Sequence, residues 1–158
     1  MINRVILVGS FLGAVLTLTA GCSKPPTDEE LLRSGTQHQR SDESDDAISD
    51  FQKLIQLYPK SDKVPEALFA IGSIYLNTQK EYGKAESVYT KLVMEYPQHP
   101  VSQGAAYQRA RIFVEHLRKP DSAISAYELF LERYPSSLPA SSAITELAEL
   151  RKAQATKK

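Results

Sequence analysis

Few side chains in this sequence could do covalent or metal chemistry. Cys22 is the only cysteine, and it stands in the stretch 18–26, LTAGCSKPP. A lone thiol can be half of a disulfide, a nucleophile or an attachment point. With no second cysteine an internal disulfide framework is excluded. A catalytic thiolate needs a histidine brought beside it by a fold, and Cys22 lies in a proline-flanked segment outside any periodic stretch. The three histidines, His38, His99 and His116, fall at a packing position, in a loop and near a helix end. None has ligand spacing to another His, Cys or carboxylate pair. The acidic run Ser41–Asp46 lacks the alternating ligands, central glycine and closing glutamate of a calcium loop. Placed at the start of a helix, it complements the macrodipole instead. There is no glycine-rich phosphate loop and no G-x-S-x-G elbow. The expectation is therefore no catalysis and no metal.

The residues before Cys22 differ from those after it. Arg4 is the only charge in 1–21, and the run 5–18, VILVGSFLGAVLTL, has none. A basic start, a short apolar centre and a small-residue exit through Ala20 and Gly21 describe a secretory signal peptide. The apolar part is short for a membrane span, which needs about 20 apolar residues. A retained anchor helix is the alternative. Beyond it, 19 basic and 19 acidic residues over the whole chain balance, which leaves no nucleic-acid footprint and no polybasic lipid patch.

A signal peptide ending in Gly-Cys resembles the lipobox of bacterial lipoproteins, in which the cysteine is acylated and becomes the first mature residue. That family usually has leucine three residues before the cysteine; here Thr19 occupies that place and Leu18 lies one further out. The resemblance implies that Cys22 carries a covalent lipid such as palmitate, the only prosthetic group expected. It also implies that Ser23, rather than aspartate, directs the protein to the outer membrane, facing the periplasm. The expected organisation is a signal peptide at 1–21, a tether at 22–27, a folded domain at 28–154 and a tail at 155–158.

The folded part is repetitive. Residues 47–59, 85–97 and 123–135 read AISDFQKLIQLYP, AESVYTKLVMEYP and AISAYELFLERYP, in register at an interval of 38. Ala67, Ala105 and Ala143 continue the register, followed by Ile74, Ile112 and Leu150. Within a unit the period is helical: Ala47, Phe51, Leu54, Ile55 and Tyr58 share one face, and Ala67, Leu68, Ile71, Ile74 and Tyr75 draw a second stripe. Pro59, Pro97 and Pro135 each stop a helix. Asp62 before Pro65, and Ser137 before Pro139, suit the starts of the next helices. Thr27 and Glu30 have capping-box spacing. The pattern predicts seven helices in antiparallel pairs, about 28–40, 43–57, 63–78, 82–95, 101–117, 121–133 and 139–154. Phe51, Tyr89 and Tyr127 are expected in the core, with Tyr89 between the second and third units. Stacked pairs share a continuous core that one pair alone could not bury.

Gly72, Tyr75, Ala85, Tyr89 and Pro97 match the offsets of the tetratricopeptide repeat (TPR), a 34-residue helix pair, with one residue added between Tyr75 and Ala85. The first unit keeps the spacing through Gly35, Ala47, Phe51 and Pro59, with His38 in place of tyrosine. The third has Ala110 and Phe113 where glycine and tyrosine are usual. The resemblance covers residues 28–154 and implies an all-α fold, an α-solenoid of about three TPR-like helix pairs plus a C-terminal capping helix. The long period with Tyr-Pro at the helix end is also similar to envelope TPR proteins. Among them are the lipoprotein of the outer-membrane β-barrel assembly machinery and the periplasmic protein that works with Tol–Pal.

In TPR arrays the first helix of each pair lines a concave groove. The matching offsets are Leu32, Thr36, Gln39 and Arg40, then Glu66, Phe69, Ser73 and Asn77, then Tyr107, Arg111, Val114 and Glu115. Phe69, Ser73, Asn77, Tyr107, Arg111 and Glu115 are the expected protein-binding set, since aromatics and Arg dominate recognition hot spots. The competing reading is that Phe69 and Tyr107 pack against neighbouring helices. The expected function is a lipid-anchored scaffold or adaptor for a membrane-associated protein partner, in envelope or outer-membrane protein assembly. The rival is an accessory or substrate-binding lipoprotein for a glycan or small molecule, which would need a deep pocket with converging polar groups.

Overall fold

Each Tyr-Pro pair ends a helix because proline has no N–H to donate and crowds the preceding turn. The chain reverses at each one. The computed structural model describes residues 24–156; the expected signal peptide, Cys22 and the last two residues of the tail lie outside the described residues. The helices are α1 (Asp28–Arg40), α2 (Ser44–Leu57), α3 (Val64–Asn77), α4 (Tyr82–Glu95), α5 (Pro100–Glu115), α6 (Pro120–Arg133) and α7 (Ala140–Ala155), and no strand occurs among the described residues. Each helix packs on its successor, and α1, α3 and α5 also touch in sequence. The result is three antiparallel pairs closed by α7.

The helix starts follow the sequence unevenly. Thr27 caps α1 as expected: its hydroxyl accepts from Glu30 N at 3.2 Å, and the Glu30 carboxylate accepts from Thr27 N at 2.8 Å. Asp62 and Ser137 do not cap. α3 begins after Lys63 and α7 after Pro139, neither with a side-chain cap. Ser61 takes the bond expected of Asp62, its hydroxyl accepting from Lys63 N at 3.1 Å, and Ser137 donates back to Tyr134 O at 2.7 Å. Both loops are tight turns running straight into the helix, so the capping acceptors are turn carbonyls: Ser61 O accepts from Val64 N and Ser137 O from Ala140 N. Asp45 and Asp46 lie in the first turn of α2 without a side-chain cap bond, consistent with a macrodipole role.

The core repeats with the sequence. Phe51, Tyr89 and Tyr127 are fully buried, as are Leu54, Leu92 and Phe130. Tyr89 lies within the second pair rather than between the second and third. Its ring sits over Gly72 of α3, where an added Cβ would be 2.5 Å from Tyr89 Cε1. Phe51 covers Gly35 in the same way, at 2.7 Å. The glycine is thus needed for space, since no real Cβ comes that close; the third unit carries Ala110, which is itself buried.

One buried charge breaks the apolar rule. Asp50 takes the place that Val88 and Ala126 hold in later units, and it is only 8% exposed. Its carboxylate accepts from Ser34 Oγ at 2.6 Å and Lys53 Nζ at 3.2 Å, and His38 Nδ1 stands 3.1 Å away. Among the described residues no earlier pair packs on the end of the stack that Ser34, His38 and Asp50 face; their counterparts Ile71, Tyr75 and Val88 line an apolar furrow beside α2. A polar end is what a terminal repeat needs to remain soluble. Burial pushes the Asp50 carboxyl upward, but the bonds from Ser34 and Lys53 and the nearby His38 outweigh it and hold it below its ordinary value. A lowered folded value means that the stabilisation is present above the unfolded value of about 3.9 and lost as pH falls through the folded one. Replacing Asp50 by asparagine is therefore expected to lower stability at pH 6–7 and to narrow the gap to wild type below about pH 4. Urea unfolding at several pH values, followed by circular dichroism, checks it; a gap that widens in acid would show the opposite sign.

The two edges of the stack are built differently. On one, Asp42, Lys80 and Arg118 follow α1, α3 and α5 with positive φ of 61°, 58° and 51°. In each turn the next N–H returns to the helix, five residues back from Glu43 to His38 O and six back from Glu81 to Tyr75 O and from Lys119 to Phe113 O. The left-handed residue ends the helix as a C-terminal cap does. On the other edge lie the Tyr-Pro loops. Tyr58 Oη donates to Pro26 O at 2.8 Å, and Tyr134 Oη donates to Pro97 O at 2.7 Å. The segment before α1 thus occupies the place that a preceding loop would take. Ser61 Oγ, donating to Asp28 Oδ2 at 2.6 Å, and Lys63, paired with Asp28 and Glu29, fix it further.

Candidate protein-binding groove

α1, α3 and α5 form the inner row of the stack, and α7 continues that row. The six expected groove residues divide into two groups. Phe69 is half-buried: its ring centroid is 5.8 Å from that of Tyr89, and it faces Gly104 of α5. Tyr107 packs on Phe130 at 5.7 Å and Tyr127 at 6.1 Å. Ser73 shares a hydrogen bond with the Tyr89 hydroxyl at 3.1 Å. These three form the floor and tie it to the core, so the packing reading accounts for Phe69 and Tyr107.

Asn77, Arg111 and Glu115 are brought together. With Gln108, Lys80, Tyr82 and His116 they surround a cleft of about 150 Å³ between α3 and α5. Arg111 Nε donates to Glu115 at 2.8 Å, and its guanidinium stands 6.0 Å from the Tyr107 ring centroid. Tyr82 and His116 stack in parallel at 3.8 Å across the mouth. The one arginine of the expected set is therefore already paired.

A second cleft, of about 360 Å³, lies between α5 and α7, lined by Val114, Glu115, Tyr127, Glu146, Glu149, Leu150 and Ala153. Glu146 Oε1 accepts from Tyr107 Oη at 2.8 Å, and Oε2 accepts from Tyr127 Oη. Among the described residues no cation lies within 4 Å of Glu146 or Glu149. Burial first, and then the Glu146 carboxylate, raise the ionisation of both hydroxyls above the ordinary tyrosine range. Both hydroxyls therefore remain donors at any physiological pH, and they aim one carboxylate into the cleft. The sequence reading missed Glu146 and Glu149. Glu149 falls at the 38-residue offset of Arg111, so extending the groove register into α7 finds it; Glu146 falls at the offset of Gln108, which lies outside that register.

Among the described residues no cluster of three or more His, Cys, Asp or Glu side chains could hold a metal ion. His99 serves α5, its Nδ1 accepting from Val101 N at 3.5 Å.

Three antiparallel pairs with small-on-aromatic packing and a concave inner row define a TPR protein. Solved structures agree on the fold. The first TPR of Spaghetti (RPAP3) bound to the HSP90 peptide SRMEEVD matches with a TM-score of 0.62 and 23% identity, over 82% of this chain and 94% of that one. The first TPR domain of human RPAP3 gives 0.60 and 24%, over 83% and 94%. A tetratricopeptide repeat protein from Parabacteroides merdae gives 0.65 and 23%, over 83% of this chain and 48% of that longer one. No curated protein matches the chain. Residues 25–158 match the model of the YfiO family, described as outer membrane lipoprotein; the chain belongs to that family.

Proposed function

We propose that this protein is an adaptor, acylated at Cys22 and facing the periplasm, that holds a segment of a partner protein in its concave groove. The observation that carries the reading is the α5–α7 cleft, where Glu146 and Glu149 line the wall with Val114 and Leu150 and, among the described residues, no cation lies within 4 Å of either carboxylate, Arg111 acting on Glu146 from farther off. Such a cleft suits an amphipathic segment bearing lysine or arginine. The TPR of RPAP3 holds a peptide, SRMEEVD, rich in carboxylates; the charge of this cleft asks for the opposite. The clefts are furrows between helices rather than enclosed chambers, which favours a protein segment over a glycan or small molecule. Asn77, Arg111 and Glu115 would extend the contact toward α3. Membership of an outer membrane lipoprotein family supports a place in envelope or outer-membrane protein assembly, with a partner at or in the membrane.

A photo-crosslinking residue placed at Ala153 in intact cells is expected to capture a discrete partner, and one at Lys91 on the opposite face is not. Glu146→Lys and Glu149→Lys should reduce that capture at least tenfold with helical circular dichroism unchanged, because like charges across an interface repel. Capture from Lys91 alone, or capture indifferent to both charge reversals, would place the binding surface elsewhere.

A further inference from the structure

Large apolar side chains left in water are few, and their distribution is one-sided. Among the described residues they are Leu57, Met94, Leu138 and Ile144, at 52%, 62%, 99% and 59% exposure. Leu57 is the last residue of α2, Met94 lies at the end of α4, Leu138 is in the loop before α7, and Ile144 is one turn into α7. All four lie at the Tyr-Pro edge. The opposite edge presents Asp42, Glu43, Lys80, Glu81, Arg118 and Lys119. Set among exposed charges such as Lys60, Glu95 and Glu132, these apolar side chains give the edge the mixed character that suits a contact surface.

The chain itself indicates what covers it. Pro26 is fixed on this edge by Tyr58, and Cys22 stands four residues earlier, a reach of at most about 14 Å for an extended chain. We infer that the Tyr-Pro edge rests on the lipid surface in which Cys22 is anchored, with Met94 and Leu138 entering the interfacial zone. The inference rests on acylation of Cys22. An acyl chain alone gives modest attachment, and a second apolar contact strengthens it. The solenoid then stands with its helices upright, and its concave groove opens sideways along the membrane.

Acylation occupies the one native thiol, so a new cysteine can be labelled alone. The acylated full chain carrying Leu138→Cys, Met94→Cys, Lys80→Cys or Arg118→Cys would be labelled with a polarity-sensitive fluorophore. Each variant is then bound to vesicles of phosphatidylethanolamine and phosphatidylglycerol containing a lipid with a nitroxide near its headgroup. Labels at 94 and 138 should be quenched several-fold more than those at 80 and 118, with blue-shifted emission. Flotation with the vesicles is scored first. Protein that fails to float overturns the anchor and this inference with it. Protein that floats with equal quenching at both edges, or stronger quenching at 80 and 118, overturns the orientation alone and leaves the apolar edge to a protein partner.

Discussion

Tyr89→Ala is expected to lower the melting temperature by about 10 °C or more. Truncating a buried aromatic costs about 3–5 kcal/mol, and for a domain of this size each kcal/mol moves the midpoint by several degrees. The loss includes the ring packed over Gly72 and against Phe69, and the hydrogen bond with Ser73. Lys84→Ala should change the midpoint by little, since Lys84 is exposed and its pair with Glu81 is a surface one. The partner change is Gly72→Ala, whose new Cβ must displace the Tyr89 ring and so costs about 1–3 kcal/mol. In the Tyr89→Ala background that cost should vanish, because the added methyl enters vacated space. Additive losses in the double variant would mean that the two residues do not share one site.

Cys22→Ser is expected to abolish acylation of the protein. A serine hydroxyl cannot replace the thiol as acyl acceptor, so labelling with a radioactive or clickable fatty acid should fall to background while an unprocessed precursor accumulates. Among the described residues no helix is long and apolar enough to cross a membrane. Mature, membrane-bound wild-type protein with an unmodified Cys22 would sink the acylation reading. A precursor-sized, unacylated wild-type protein embedded in the membrane would favour the retained helix.

The helices were legible because their signals are local. Three Tyr-Pro pairs and an interval of 38 place every helix end to within two residues, and α5 stops early only because the turn at Arg118 pulls Leu117 N back to Ile112 O. Burial of Phe51, Tyr89 and Tyr127 was legible for the same reason. The division of labour in the groove was not. Whether Tyr107 is a contact or a strut depends on Glu146, 39 residues away, and on a ring in α6. Periodicity shows which face a residue occupies, but not whether its polar atoms are already engaged. Arg111 shows the same limit from the other side: its partner Glu115 is one turn away on the same helix, a spacing the sequence displays. Asp50 follows a further rule. A carboxylate breaks an apolar register where the stack ends, and only the assembled stack shows which end that is.

The knot at the start of α1 has a mechanical meaning. Tyr58, Ser61 and Lys63 grip Pro26, Asp28 and Glu29 across the α2–α3 turn. A tug on the tether is therefore shared by three helices from the outset, instead of peeling α1 away one turn at a time. The clamp is at the first pair and the glutamate cleft is beside the last helix, so in the proposed adaptor tension between anchor and cargo would run along the stack. Each pair meets only its neighbours. The pull the molecule can bear is then that of its weakest junction, and tightening a stronger one would not raise it.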